Sequence, residues 1–480
     1  MPSSRRPRRA SARNWVRRAE NPLRKTPNSP PLLEVSDNGP PLVINPTLFV
    51  AGIREPGWGP FLSSFLDCNR DAFSQVDVNC EISGGRNGAQ LQLRPGQCVG
   101  AIPIRSPQNG KVSGGLIIHP RFGWLGVGTV LAAIGWGFGP RFLEFPFVPG
   151  SGRQIPPWVL AGPVLARLNK LLKNLKPGFE EKVEIRNHPR GSVQWNRYIR
   201  RHLTCGKWHQ LPCKFSELGV DSNLRRAIRW TLEVIQKDLN KCSSGDRISF
   251  GLSSLVLRLL DHLQDVVAKK PSRAELDTFF GSSLSGGPVF REGINAMGWI
   301  VDERGLGGGQ DYDGLSWVLQ LDSLWERYVE QQKREEAALT GGQVLAGRLG
   351  ETTVPIPWNI RSHRALGHLI PDIIVKTKDG IEIIDAKYKS HFAALDADGW
   401  RRFSDDTKES LRADIHQVLA YASVFESSVK TTATLVYPVT QTLYDELKVL
   451  SQDIVAAKIP VGTRLKELRL QAMPFSGVRS

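Results

Sequence analysis

Three charged residues, Asp372, Asp385 and Lys387, stand beside the apolar runs of 369–389, LIPDIIVKTKDGIEIIDAKYK, in stretches that otherwise look buried. Charges in such surroundings are costly unless they are paired or hold a metal. Two neighbouring carboxylates repel, and a divalent cation that favours hard oxygen ligands, Mg²⁺ or in its place Mn²⁺, relieves the repulsion. A lysine beside them can hold a water or hydroxide and offset charge building on a phosphate. Together they make the equipment of metal-assisted phosphodiester hydrolysis.

The elements that must position this trio can be read around it. The stretch predicts two short strands joined at Asp379-Gly380, a strong hairpin signal. A two-residue loop there sets Lys378 opposite Ile381, Ile374 opposite Asp385 and Asp372 opposite Lys387. Facing and alternate residues share a sheet face, so the three charges project from one side near one end of the hairpin. A slip of one residue would send Asp372 to the other face. Upstream, 321–329 (LDSLWERYV) predicts an amphipathic helix burying Leu321, Leu324, Trp325 and Tyr328, with Asp322 and Glu326 adjacent on its other side. Downstream, 414–422 (DIHQVLAYA) predicts a second helix, with Asp414, Gln417 and Tyr421 on a polar stripe, and a strand follows at 433–438. An exposed helix carboxylate accounts for Glu326 without function, and a solvated helix face does so for Gln417. Tyr388 and Lys389 read as a half-buried tyrosine and a strand-end lysine.

Pro371-Asp372 with Asp385-Ala386-Lys387 resembles the PD-(D/E)xK nuclease signature, and the order helix, hairpin, helix, strand resembles the α/β core of that superfamily. The strings IIDAKYK, DIHQVLAYA and LDSLWERYV resemble the McrC family, nuclease subunits of modification-dependent restriction systems and their LlaJI-like relatives. Sparser similarity runs forward through Pro189-Arg190-Gly191, Cys213 and 217–228 to 99–102 and 117–123. In that last turn His119 departs from the family, whose strand ends in Pro-Lys after an apolar residue.

The resemblance implies a Mg²⁺-dependent DNA endonuclease subunit of a prokaryotic restriction or defence system. In it the metal is held by Asp372, Asp385, the carbonyl of Ala386 and, through water, Glu326. Lys387 positions the attacking water, and Gln417 orients Lys387 or a backbone phosphate. It also implies two partners: double-stranded DNA, and a McrB-like AAA+ NTPase, GTP-using, engaged by the N-terminal portion and largely responsible for recognising modified bases. The chain has no GxxxxGK[ST] loop, so such a motor acts in trans. A reading from another class is a non-catalytic adaptor that keeps the nuclease fold and anchors or stimulates the NTPase. The intact trio opposes it, because a scaffold has no use for mutually repelling charges.

At 480 residues the chain exceeds one core. The expected fold is an α/β PD-(D/E)xK restriction-endonuclease-like core at the C-terminus, preceded by a helical middle region and a β-rich N-terminal domain. The expected boundaries are a basic disordered tail and linker at 1–42, the β-rich domain at 43–155, the helical domain at 156–300 and the nuclease at 311–480. Net charge is +16, and residues 1–25 supply half of it, with eight Arg and one Lys against one Glu. The remaining surplus suits a phosphate-binding face, or simply solubility. The tail lacks the apolar core of a secretory signal, though its Arg-rich character also suits an organelle transit peptide. Six sparse cysteines without a Cys-x-x-Cys pair suit a reducing cytoplasm. Cys205, His209 and Cys213, with His202 nearby, have the membership of a zinc site. Pro212 and the lack of a second ligand pair favour a structural segment instead. The uncharged run 123–139 holds six glycines in 17 positions, so a buried helix with flanking turns is expected there and a membrane span is not. Three helices are expected between 157 and 276, the second capped by Asp221 or Ser222. Its Arg225, Arg226 and Arg229 face either solvent or DNA phosphates.

Overall fold

The computed structural model describes residues 32–44, 58–85, 88–145, 148, 156–175, 178–219, 222–241, 246–282, 287–301, 316–356, 367–393, 403–425, 430–461 and 464–476. The basic tail at 1–25, Asp221 and the glycine-rich loop 304–309 lie outside these residues. The chain is mixed α/β and divides into two compact units: Met1–Ile155 with Leu306–Ser480, and Pro156–Gly305.

The first unit opens with β1 (Leu32–Ser36), β2 (Leu42–Ile44), α1 (Trp58–Gln75), β3 (Val78–Gly85), β4 (Gly88–Pro95), β5 (Cys98–Arg105), β6 (Val112–His119), α2 (Gly123–Ala133) and β7 (Arg141–Phe142). Two expectations are corrected here. Leu32–Ser36, assigned to the linker, is a strand pairing in parallel with β6, because its apolar residues find a sheet edge supplied from far along the chain. The β-rich stretch also contains the 18-residue helix α1, whose Phe61, Leu62, Phe65, Ala72 and Phe73 pack into the same core as Leu91, Leu93, Ile102 and Ile118. Gly59 and Pro60 at its start hid the helical period. The run at 123–139 forms α2, which buries Gly126, Val127, Gly128, Val130 and Leu131. Among the described residues no helix is long and apolar enough to cross a membrane.

The second unit holds α3 (Trp158–Asn174), β8 (Gly178–Arg186), β9 (Ser192–Val193), α4 (Trp195–Tyr198), β10 (Leu211–Gly219), α5 (Asn223–Leu239), α6 (Arg247–Asp261), α7 (Arg273–Ser282) and α8 (Gly287–Val301). Its helices follow the expected apolar periodicity. The purely helical expectation missed a three-stranded sheet in the order β8-β10-β9. Ser222 caps α5 by accepting from the Arg225 amide. Arg229 spends its guanidinium on the carbonyls of Leu263, Gln264 and Val266, beyond the end of α6. That is a structural role, which removes it from the residues considered for DNA phosphates.

The chain then returns to the first unit as β11 (Trp317–Gln320), α9 (Leu321–Thr340), β12 (Gln343–Ala346), β13 (Val354–Pro355), β14 (His368–Leu369), β15 (Ile373–Lys376), β16 (Gly380–Ala386), α10 (Asp405–Val424), β17 (Lys430–Val439), α11 (Gln441–Val449), β18 (Ile454–Val461) and β19 (Arg464–Pro474). β11 completes the N-terminal sheet, order β1-β6-β5-β11-β7, and comes so close to β5 that a Cβ on Gly100 would lie 2.2 Å from the Trp317 carbonyl oxygen. Of the remaining strands, β13 and β14 pair with each other and the other six form one sheet, β12-β15-β16-β17-β19-β18. Its β16–β17 pair is parallel, which requires a crossover, and α10 supplies it. The expected burial of Leu321, Leu324, Trp325 and Tyr328 on α9 is met.

Candidate active site

β15 and β16 form the expected antiparallel hairpin, but the register differs from the expectation by two residues. Ile373 pairs with Ile384, Ile374 with Ile383 and Lys376 with Ile381. Continued outward, this sets Asp372 against Asp385 rather than against Lys387. The turn centres on Lys378 and Asp379, closed by Thr377 N–H donating to the Gly380 carbonyl at 2.9 Å. Neither central residue has a positive φ, so the left-handed turn that Asp-Gly suggests is not used. Gly380 serves the neighbouring strand instead: a Cβ there would lie 2.4 Å from the Lys430 carbonyl oxygen. A shift of two preserves the alternation of faces, so Asp372, Asp385 and Lys387 keep one side of the sheet.

Asp385 is 1% exposed, and both its carboxylate oxygens are buried without a hydrogen-bond donor. The Lys387 ammonium lies 2.8 Å from Asp385 Oδ2 and forms an ion pair with it. Asp372 is half-buried, and its Oδ2 accepts from the Ala386 amide at 2.9 Å. Burial, and then the facing charge of Asp385, push the Asp372 carboxyl well above its usual range. Burial is the largest single influence on the Lys387 ammonium and would lower it, but interaction with Asp385 and the charges of Asp372 and Asp414 together outweigh burial, and the net shift is upward.

From α10, Gln417 is exposed and its Oε1 accepts from Lys387 Nζ at 2.9 Å, while its amide nitrogen donates to the Tyr421 hydroxyl at 2.9 Å. Glu326, on α9, is half-buried, and burial followed by the charge of Glu330 raises its carboxyl. Its charge is felt at Asp372. The structure thus brings Asp372, Asp385, Ala386, Lys387 and Gln417 together, with Glu326 at their edge.

Sequence reasoning undervalued two residues here. Asp414, placed on a polar stripe, is buried and accepts with both oxygens from Lys389 Nζ at 2.8 and 2.9 Å, with Tyr437 OH at 3.5 Å. Lys389 is therefore more than a strand-end lysine: it fastens the β16 exit to α10 one turn before Gln417. The signal was available, since Lys389 is two beyond Lys387 and Asp414 is three before Gln417. Tyr388, expected half-buried, is 1% exposed.

The two facing carboxylates and the Ala386 carbonyl are hard oxygen donors, and the donorless oxygens of Asp385 are what a cation would satisfy. Among the described residues no cluster of three or more His, Cys, Asp or Glu side chains is gathered for a metal. Mg²⁺ does not require one, since it is commonly held by one or two carboxylates with waters and substrate phosphates. The residues fit that ion. The Cys205, His209 and Cys213 segment is spread out: Cys205 is exposed, and Cys213 is buried within β10.

A family model described as McrBC 5-methylcytosine restriction system component matches residues 159–438. Among solved structures, the chain is similar to a half-complex from a tetradecameric assembly of Thermococcus gammatolerans McrB AAA+ hexamers with bound McrC. The two are 13% identical, the match covers 94% of this chain and 96% of that one, and the TM-score is 0.41. It is also similar to a chain of the Thermococcus gammatolerans McrBC complex, at 11% identity, 63% and 87% coverage and a TM-score of 0.29. No curated protein matches.

Proposed function

Because this chain belongs to the family of McrBC 5-methylcytosine restriction system components, we propose that it is the nuclease subunit of such a system, hydrolysing DNA phosphodiesters through a PD-(D/E)xK core. The observation that carries this reading is Asp385, a fully buried carboxylate that faces a second carboxylate, Asp372, with the Lys387 ammonium 2.8 Å from its Oδ2. A group left so is costly unless something absent from the chain completes it.

Asp372, Asp385 and the Ala386 carbonyl hold Mg²⁺, for which Mn²⁺ substitutes, and Glu326 reaches the same site through water. When bound, the ion supplies Lewis-acid charge at the scissile phosphate and eases deprotonation of a water. Lys387 holds the attacking water in line and offsets the negative charge that accumulates on the phosphate oxygens. Gln417 holds the Lys387 ammonium from the open side. Water adds to phosphorus and gives up a proton to solvent, the bond to the sugar oxygen breaks, and that leaving oxygen takes up a proton from solvent to become a hydroxyl.

The partner is an AAA+ NTPase, GTP-using, which acts in trans on double-stranded DNA and which the N-terminal portion engages. Family membership, together with the missing phosphate-binding loop, supports this assignment.

The test is to purify the chain with its NTPase and supply NTP, Mg²⁺ and either modified or plain DNA. Wild type cuts. Asp385→Ala and Lys387→Ala do not cut, while NTPase binding and stimulation persist. A wild-type complex that never cuts under any of these conditions replaces this reading with that of a non-catalytic adaptor.

A further inference from the structure

Lys389 N–H donates to the Lys387 carbonyl at 2.8 Å, so the residue after the catalytic lysine is the apex of a three-residue turn. That apex is Tyr388. The two lysines flanking it are held by α10, Lys387 through Gln417 and Lys389 through Asp414. Tyr388 itself is held by a different part of the chain.

Its ring sits in a box contributed by both ends of the sequence. The Arg121 guanidinium lies 4.5 Å from the ring centroid, Phe475 at 5.6 Å and Phe122 at 6.0 Å. Phe475 also stacks on Phe122 at 4.9 Å and lies 5.8 Å from Trp325. Trp325 Nε1 and the Lys387 amide both donate to the Val436 carbonyl, at 3.2 and 2.9 Å. Arg121 belongs to the turn after β6, the segment in which His119 departs from the family pattern. Asp37, which follows β1, fixes that turn: its Oδ1 accepts from the Arg121 amide, and its Oδ2 lies 3.6 Å from Arg121 Nε.

This arrangement is a poor stabiliser. Asp37 is fully buried and the Arg121 side chain is 15% exposed. Yet Asp37 Oδ2, Arg121 Nε and Nη2 and the Tyr388 hydroxyl are buried together, the hydroxyl facing both charges, and none of them meets full hydrogen-bond geometry. Apolar side chains of similar volume would hold the same space at lower cost. What the ion pair provides is orientation: it sets the plane of a guanidinium on which Tyr388 is seated.

Resting on the nuclease reading above, we propose that Asp37, Arg121 and Tyr388 form a positioning unit, through which the N-terminal sheet sets the turn that aims Lys387 at the phosphate. None of the three touches substrate. They act through the backbone at 387–389, where a displacement of about 1 Å is enough to cost a hundredfold in rate.

The experiment uses the full chain with its NTPase. The double substitution Asp37→Asn/Arg121→Met removes both charges together, so neither is left buried alone. Its kcat for DNA cleavage falls by at least about tenfold while KM for DNA and Mn²⁺ affinity by titration calorimetry stay at wild-type levels. Tyr388→Leu behaves alike, and Tyr388→Phe, which keeps the ring, restores most of the rate. The leucine–phenylalanine pair decides the matter if the double variant fails to fold. A merely structural role would instead lower melting temperature, affinity and rate in parallel. The inference is overturned if wild type cuts and both the double variant and Tyr388→Leu cut within about twofold of it. A wild type that neither binds Mn²⁺ nor cuts overturns the nuclease reading first, and this inference with it.

Discussion

Replacing Asp372 with asparagine should stabilise the metal-free chain while abolishing metal binding and cleavage. Asp372 faces Asp385 when the hairpin register is continued outward. Facing side chains of an antiparallel pair have their Cβ atoms about 5 Å apart. Two full charges at that separation repel by about 3 kcal/mol at an effective dielectric constant near 20. The ammonium of Lys387, 2.8 Å from Asp385, offsets part of this, leaving about 1–2 kcal/mol to be recovered. Asparagine retains an oxygen for the Ala386 amide, so no backbone donor is orphaned. The pH dependence has a definite sign. Burial and the Asp385 charge raise the folded-state Asp372 carboxyl above its usual 3.8, so the folded chain binds that proton more tightly than the unfolded chain. Its contribution to stability is present below 3.8 and is lost as pH rises through the folded value. Asparagine does not titrate, and its advantage over wild type therefore grows across that window. Urea unfolding in a chelator, repeated along a pH series, measures this directly. Added Mg²⁺ should stabilise wild type by mass action and leave the variant unmoved. A variant less stable than wild type at neutral pH without metal, or one that Mg²⁺ stabilises equally, would refute the account of two coupled carboxylates.

Gln417→Ala should lower the cleavage rate by about tenfold while leaving Mn²⁺ affinity unchanged, since Gln417 contacts Lys387 and neither carboxylate; parallel rate and calorimetric measurements check this. Lys389→Met leaves the Asp414 carboxylate buried without its cation and should cost about 3 kcal/mol, read as a lower urea midpoint. Arg348→Ala should cost about 1–3 kcal/mol, because Glu330 is buried and keeps only Arg334. Burial pushes the Glu330 carboxyl up, but the hydrogen bonds and charges of Arg348 and Arg334 together outweigh it and hold the group below its usual 4.5. Stability from that group is present above 4.5 and lost as pH falls through the lowered folded value, so the Arg348→Ala penalty should shrink in acid.

Local pattern carried the site further than it carried the fold. Asp372, Asp385 and Lys387 share a face because strand alternation is a property of a few consecutive residues, and it survived an error of two in the register. That error arose because Gly380 looked like a turn glycine, whereas its missing side chain admits the Lys430 carbonyl from a strand distant in sequence. The same limit explains Asp414. Its helical face was legible, but what covers that face, Lys389 and Tyr437, is a tertiary matter. Helix α1 and strand β1 were missed for complementary reasons. A Gly-Pro pair masks the period of the first, and the second is a pentapeptide with three apolar residues that becomes a strand only where β6 offers it an edge. Nothing near Tyr388 in sequence announces that Asp37 and Arg121 surround it.

The placement of β11 bears on how the protein is made. Trp317–Gln320 lies between β5 and β7, and the next residue, Leu321, donates its amide to the Gln97 carbonyl at 3.0 Å. A ribosome must therefore release Gln320 before the sheet that began at Leu32 can close. All of the second unit is synthesised in the meantime, with the β5 edge open to misplaced pairing. A shortened gene starting at α9 would yield helix and hairpin without the strand that anchors them. Domain-by-domain expression should accordingly cut at 155 and 306, with both ends retained together, rather than between the amino-terminal sheet and the carboxylates.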